Sequence, residues 1–365
     1  MDFNLDETQQ ELRGLAADVL GREASRERLE AYEKTGAPYD AATWKALAQA
    51  GLLGAVLPEE AGGAGLGAVE LTVVLREIGA HVAPVPAYAS LALAAVPIAA
   101  HGTKEQRALL APLNEGEAVL TGAYREAGPK ATTARRDGDG FLLDGVKAFV
   151  PYAAEASWIL VPARVEGADI GIFLVEPSQA ILAPQPSSTT EPLSRIELSG
   201  VRAGPDALLG GAADGAAWRT FRRSAVAGAV ALASGVIEGA LNLTTEHVKA
   251  REQFGRALAQ FQAVTMQVGD VYIAKRALDV AVWAGAWRLA TQAPDTDEVL
   301  AVAAYNACEP VVEALYTCQH LHGGIGLDVT YPLHRYFAWG KQVGYLLGGA
   351  EEQLDTLGTL IAQEA

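Results

Sequence analysis

Apolar residues at Leu12, Leu15, Ala16, Val19 and Leu20 recur at helical spacing, and Asp6 with Gln9 forms a capping box ahead of them. Thr103 with Gln106 repeats that arrangement before Leu109 and Leu110. Asp40 reads as the cap of a helix that carries Trp44, Leu47 and Ala48 and stops at Gly51. Between these helices, Pro58 to Gly67 is a Gly-rich loop without a preceding strand, which reads as a turn rather than a phosphate cradle.

From about Leu120 to Val201 the pattern changes to short strands. Phe141-Leu142-Leu143 sits between two turn signals, Asp137 to Gly140 and Asp144-Gly145. Trp158 to Val161, Gly171 to Val175 and Arg195 to Leu198 continue the series with no helical period between them. From about Gly210 long helices return. The run Ala225 to Gly239 is dense in Ala and Gly, which lets neighbouring helices approach closely, and further helices are predicted over Ala263 to Thr291 and Glu298 to Leu321. Trp283 and Trp287 are one turn apart and read as packing residues. The expected class is α+β, with a helical domain over 1–117, a small β-barrel or sandwich domain over 118–207 and a four-helix bundle over 208–365.

Composition adds constraints. A chain of 365 residues exceeds the size at which one core keeps growing, so more than one domain is expected. No uninterrupted apolar run approaches the roughly 20 residues of a membrane span, and Met1 to Asp6 lacks the basic flank of a signal peptide, so the expectation is a cytoplasmic protein without a membrane partner. The net charge of −16 opposes binding to nucleic acid and gives no long-range attraction to a polyanionic ligand. Cys308 and Cys318 are too few for a metal motif and read as two buried, reduced thiols.

Two cassettes carry candidate chemistry. The first runs from Arg251 through Phe254-Gly255 to Phe261-Gln262. A guanidinium offers paired donors to phosphate oxygens, a phenyl face can lie on a flat ring, and a glutamine satisfies polar edges. The bland reading is a helix end with a solvated Arg and a Gly stop. The second is His320-Leu321-His322-Gly323-Gly324-Ile325-Gly326, where glycines after a helix let backbone amides approach a flat or anionic ligand. Metal binding by His320, His322 and His334 is a competing reading, but these residues and Asp328 do not complete a ligand set.

Through these motifs the whole chain resembles the acyl-CoA dehydrogenases. The likeness is closest from His320 through Asp328-Val329-Thr330-Tyr331-Pro332 to Gly348-Gly349. It implies FAD as cofactor, an acyl-CoA substrate and an electron-transfer flavoprotein as acceptor. By resemblance, Arg251, Phe254 and Gln262 bind the pyrophosphate and adenine half of FAD. His320, Gly323 and Gly324 meet the adenine end held by a neighbouring subunit, His320 standing where the family commonly has Gln.

The flavin-ring half departs from the family. The usual Thr-Glu-Pro segment is replaced by Ala123 to Gly128, with Arg125 in place of the hydroxyl residue. The usual Lys-x-Trp-Ile-Thr-Asn segment is Lys147 to Tyr152, and Pro151 offers neither hydroxyl nor amide donor. The family's base, a glutamate that takes the α-proton, is matched by Leu347, and its alternative position by Ala225-Val226. Glu238 and Glu246 are the nearest carboxylates on that helix and read as solvated or salt-bridged, so no catalytic residue is assigned.

This combination resembles the non-catalytic subunits of actinobacterial α2β2 acyl-CoA dehydrogenases, several of which act on steroid side chains. It implies a paralogous partner that holds the flavin ring and the base. A self-sufficient homotetramer with an unassigned base and a flavin-free structural or CoA-binding pseudoenzyme are the alternatives.

Overall fold

The computed structural model describes residues 4–364. The start of the chain, read for a signal peptide, therefore lies partly outside the described residues. In chain order the first helices are α1 (Glu7–Glu23), α2 (Arg26–Glu33), α3 (Ala41–Gln49) and α4 (Ala68–Ala80). A π-helix over Tyr88–Ala95 leads into α5 (Val96–His101), α6 (Lys104–Arg107) and α7 (Ala111–Asn114). The strands are β1 (Leu120–Gly122), β2 (Arg125–Glu126), β3 (Thr133–Asp137), β4 (Gly140–Pro151), β5 (Trp158–Val165), β6 (Ile170–Val175), β7 (Ile181–Gln185) and β8 (Leu193–Ala203). The C-terminal part contains α8 (Ala216–Ala250), the short pair β9 (Glu252–Gln253) and β10 (Arg256–Ala257), and α9 (Gln262–Thr291). It ends with α10 (Thr296–Cys308), α11 (Pro310–His322), α12 (Leu333–Leu347) and α13 (Gly349–Glu364).

Packing groups the chain into two compact units, Ala31–Leu71 with Pro84–Ala225, and Met1–Glu30 with Thr72–Ala83 and Val226–Ala365. The predicted caps form. Asp6 and Gln9 make a reciprocal capping box, as do Thr103 and Gln106, and the Asp40 carboxylate accepts from the amides of Ala42 and Thr43.

The sheet lies in the first unit, with strand order β1-β5-β3-β4-β8-β7, β2 added to β4 and β6 to β5. β1 and β3 run parallel to β5, and the other pairs are antiparallel. Asp144-Gly145 is not the turn that its sequence suggests, because β4 runs straight through it. The irregularity belongs to β8, where Gly200 is the extra residue of a bulge at φ +61 and its amide donates to the Asp144 carboxylate at 2.8 Å. Gly145 is required for a different reason: a Cβ there would meet the backbone of Thr132. The Gly62 to Gly65 loop is a turn, and a Cβ on Gly63 would run into the carbonyls of Leu57 and Gly54.

In the second unit the small residues of α8 meet α4. A Cβ at Gly235 would strike the Arg76 carbonyl, and Gly79 lies as closely on Leu232. A buried ion network joins the same helices to α9. Arg76 pairs with Glu238, and Asp279 takes Lys275 at 2.8 Å and the Ser234 hydroxyl at 2.7 Å. Glu238 is thus salt-bridged, while Glu246 is exposed. By length and composition α8 could cross a bilayer, which the search for uninterrupted apolar runs missed, but 83% of its apolar window is buried as in a core helix.

The structure corrects three further expectations. The helix expected over Glu298 to Leu321 breaks at Glu309, because Pro310 starts α11 and forces Glu309 out of helical geometry. Cys318 is buried but Cys308 is only half-buried. Trp287 is exposed rather than packed, with the Arg288 guanidinium 5.5 Å from its ring.

Candidate functional site

The two candidate cassettes both lie in the second unit. α8 ends at Ala250, and Arg251 is fixed by its backbone amide donating to the His247 carbonyl and by the Leu258 amide donating to its own carbonyl, both at 2.8 Å. The next residues form a hairpin, not a helix end with a glycine stop. β9 and β10 pair across Phe254-Gly255, at φ +53 and +78, the two left-handed residues of a tight hairpin turn. Such a φ is uncommon for an aromatic residue, and the turn holds Phe254 out with 92% of its surface exposed. Its ring meets Phe261 edge-on, while the Arg256 guanidinium covers Phe261 at 3.9 Å. Gln262 is exposed at the first turn of α9. Arg251 is exposed and has no ion pair among the described residues.

α11 ends at His322, and Gly323 follows at φ +60, ψ −140, a conformation essentially restricted to glycine. Nothing stands within 4 Å of where a Cβ on Gly323 or Gly324 would be built, and both residues are exposed along with His320. The turn therefore offers bare backbone with room above it.

Sequence reasoning missed the residue that links the two cassettes. His247, one turn before Arg251, stacks on His322, directly before Gly323, with ring centroids 4.3 Å apart and planes 23° from parallel. Tyr331 leans on both rings. The Nδ1 of His322 bonds to the Cys318 carbonyl at 2.8 Å, and its Nε2 is buried with no partner among the described residues. Burial pushes both imidazoles below their ordinary range. His322 and Arg251 lower His247 further, whereas the bond to the Cys318 carbonyl partly offsets the burial of His322. His334 uses its Nδ1 on the Tyr331 carbonyl, and among the described residues no three His, Cys, Asp or Glu side chains converge as metal ligands.

Leu347 closes α12 with 3% of its surface exposed, ahead of Gly348 and Gly349, which are both left-handed at φ +89 and +84. Its carbonyl accepts from Gln353 at 2.6 Å. The side chain at this position is apolar and enclosed.

In the other unit, the two segments that depart from the family pattern pair with each other. Arg125 is in register with Ala148 and Glu126 with Lys147 across β2 and β4. Lys147 is fully buried and bonds to Glu126 at 2.6 Å, and Glu126 also accepts from the amide and hydroxyl of Thr132. The Pro151 carbonyl is taken by the Thr121 hydroxyl at 2.6 Å. Phe149 and Tyr152 are both left-handed, and Tyr152 is buried against Tyr39. Ala225 is buried, and its carbonyl accepts from the Tyr88 hydroxyl at 3.2 Å. A second unpredicted group is Glu191, whose carboxyl burial pushes up to about 7 and whose charge acts on Tyr152 and Tyr88.

Two family models match the chain: acyl-CoA dehydrogenase N-terminal domain over residues 6–117 and acyl-CoA dehydrogenase C-terminal domain over residues 219–360. The chain belongs to the acyl-CoA dehydrogenase family. It is 35% identical to acyl-CoA dehydrogenase FadE28 of Mycobacterium tuberculosis, with 98% of each chain covered. It is 32% identical to FadE27 of the same organism over 100% of this chain and 99% of the other. Among solved structures it matches a chain of a Tcur3481-Tcur3483 steroid ACAD variant at 41% identity and TM-score 0.92, covering 98% of both. It matches a chain of the ChsE4-ChsE5 complex of M. tuberculosis at 31% identity and TM-score 0.94, covering 99% of both. The acyl-CoA dehydrogenase fold, with N-terminal helices, a central sheet and a C-terminal helical bundle, accounts for the element order described above.

Proposed function

We propose that this chain is the base-less subunit of a heteromeric, FAD-dependent acyl-CoA dehydrogenase, working beside a paralogue that holds the flavin ring and the catalytic glutamate. The observation that carries the reading is the split between the two candidate regions. On the adenine side the residues fit a dinucleotide: Arg251 is exposed and unpaired, and Gly323-Gly324 presents open backbone. On the ring side they do not. Pro151 has no amide hydrogen and its carbonyl is engaged, Arg125 replaces a hydroxyl, and Leu347 and Ala225 stand where a carboxylate is needed. Similarity to chains of named two-component assemblies supports the same reading.

When bound, FAD supplies a hydride acceptor, which the protein alone lacks. In this reading Arg251 offers its guanidinium to the pyrophosphate, the backbone of Gly323 and Gly324 lies against the adenine end, and Gln262 and His320 hydrogen-bond to the adenine-side polar groups. Phe254 provides an apolar face on a rigid turn. The substrate in this reading is an acyl-CoA, and similarity to a chain of a steroid ACAD supports a steroid acyl thioester.

The test is expression of this chain alone and together with a paralogous acyl-CoA dehydrogenase encoded beside it. The chain alone is expected to be colourless and inactive, and the co-expressed complex yellow and active. A yellow, active homomer contradicts the proposal.

A further inference from the structure

His247 stands beside the exposed guanidinium of Arg251. The Arg251 amide bonds back to the His247 carbonyl, so the helical pattern of α8 reaches one residue past Ala250 and the two side chains leave the same face, their Cβ atoms about 6 Å apart. The His247 imidazole is held on one side by the His322 ring, 4.3 Å away, and Tyr331 meets it edge-on at 6.4 Å. The residue is half-buried. Neither of its ring nitrogens has a hydrogen-bond partner among the described residues, and neither is sealed from solvent as Nε2 of His322 is. A titratable ring is thus fixed in place with its polar atoms open, next to the residue that offers itself to a phosphate.

The surroundings decide when that ring takes a proton. The titratable and charged groups around it are Glu246, Lys249 and Arg251 on α8, Cys318 and His322 on α11, Tyr331 in the loop that follows, and Arg26 of α2, whose guanidinium donates to the Thr330 carbonyl at 3.0 Å. Besides burial, His322 and Arg251 act on His247, and both oppose a proton. A bound diphosphate reverses that balance, because it neutralises Arg251 and because an anion within about 5 Å favours the charged form of an imidazole. His322 does not compete for the proton. Its Nδ1–H is committed to the Cys318 carbonyl, which can only accept, and its Nε2 is buried without a partner among the described residues. The pair therefore carries a single proton, and with one ring neutral the two imidazoles do not repel.

We infer that His247 is a second, proton-dependent phosphate contact: as imidazolium it donates a ring N–H to the pyrophosphate beside Arg251, so the dinucleotide is held more tightly in mild acid than at pH 8. The inference rests on the flavin reading, and the test keeps the two apart. FAD dissociation from the co-expressed complex is measured by flavin fluorescence. The native complex is expected to hold FAD about tenfold more tightly at pH 6 than at pH 8, the linkage of one proton. His247→Phe, which keeps a ring on His322, is expected to lose that dependence. In the native complex stripped of FAD, rebinding FAD at pH 7 in weak buffer is expected to take up protons, a readout that needs no variant. A pH dependence that survives in His247→Phe, or rebinding without proton uptake, overturns the inference and leaves the flavin reading standing so long as Arg251→Ala weakens retention. Retention unchanged by Arg251→Ala overturns both.

Discussion

The imidazole of His247 lies over that of His322 at a centroid distance of 4.3 Å, tying the end of α8 to the end of α11. Through this pair, Arg251 and Gly323 share one rigid base although they are far apart in sequence. Protonation opposes the stack, since two imidazolium ions at that distance repel and the buried Nε2 of His322 has no acceptor for a proton.

This stack makes stability depend on pH. Both imidazoles are held below the ordinary value of 6.5, chiefly by burial, so the folded chain binds fewer protons than the unfolded chain just below that value. Their contribution to stability is complete well above pH 6.5 and is lost as pH falls through 6.5 toward the lowered folded values. Melting temperatures measured from pH 8 to 5 should therefore fall less steeply for His322→Phe than for the native chain. Parallel curves would show that the stack has no such role.

Arg251→Ala should leave the fold intact, because its side chain is exposed and its structural bonds are made by the backbone. In the co-expressed complex it should weaken flavin retention roughly 10- to 100-fold, the worth of a charge-assisted contact to phosphate. Flavin fluorescence on dilution measures this directly.

Lys147 and Glu126 form a pair with one fully buried member. Glu126→Gln leaves the ammonium uncompensated and should cost about 3 kcal/mol, whereas Lys147→Met removes the buried charge and should cost clearly less. Urea unfolding of the two variants reads the asymmetry, and equal losses would contradict it.

Glu191 gives the opposite sign to the histidines. Its carboxyl is pushed up to about 7 from the ordinary 4.5, so the fold favours the protonated form, and stability declines as pH rises from 4.5 through 7. Glu191→Gln should stabilise the chain by roughly 1–3 kcal/mol at pH 8 and by little at pH 4.5, as measured by denaturant titration at the two values.

Much of the local structure was legible because it rests on local chemistry. Asp6, Asp40 and Thr103 cap helices through bonds spanning two or three residues, which a sequence displays openly. Features decided by distant partners were not. Asp144-Gly145 looks like a turn, but the fit of Gly145 against Thr132 and the bulge at Gly200 keep it within a strand. The Arg251 cassette was legible as chemistry, yet its hairpin depends on Phe254 adopting a left-handed φ that its identity does not announce. His247 was passed over because it sits in an ordinary helical stretch, and only folding places it on His322. Glu191 likewise acquires its character from burial among tyrosines of other elements. The exposure of Trp287 was hidden because, beside Trp283, it reads equally well as core.

The division of one flavin site between two polypeptides is tested most directly by flavin stoichiometry. Bound FAD per polypeptide should be close to none in this chain purified alone. In the active complex it should be one FAD per pair of unlike chains, because Pro151 offers no amide donor and Arg125 replaces the hydroxyl residue that a second flavin ring would need. One FAD per chain in an active homomer of this polypeptide would contradict the account.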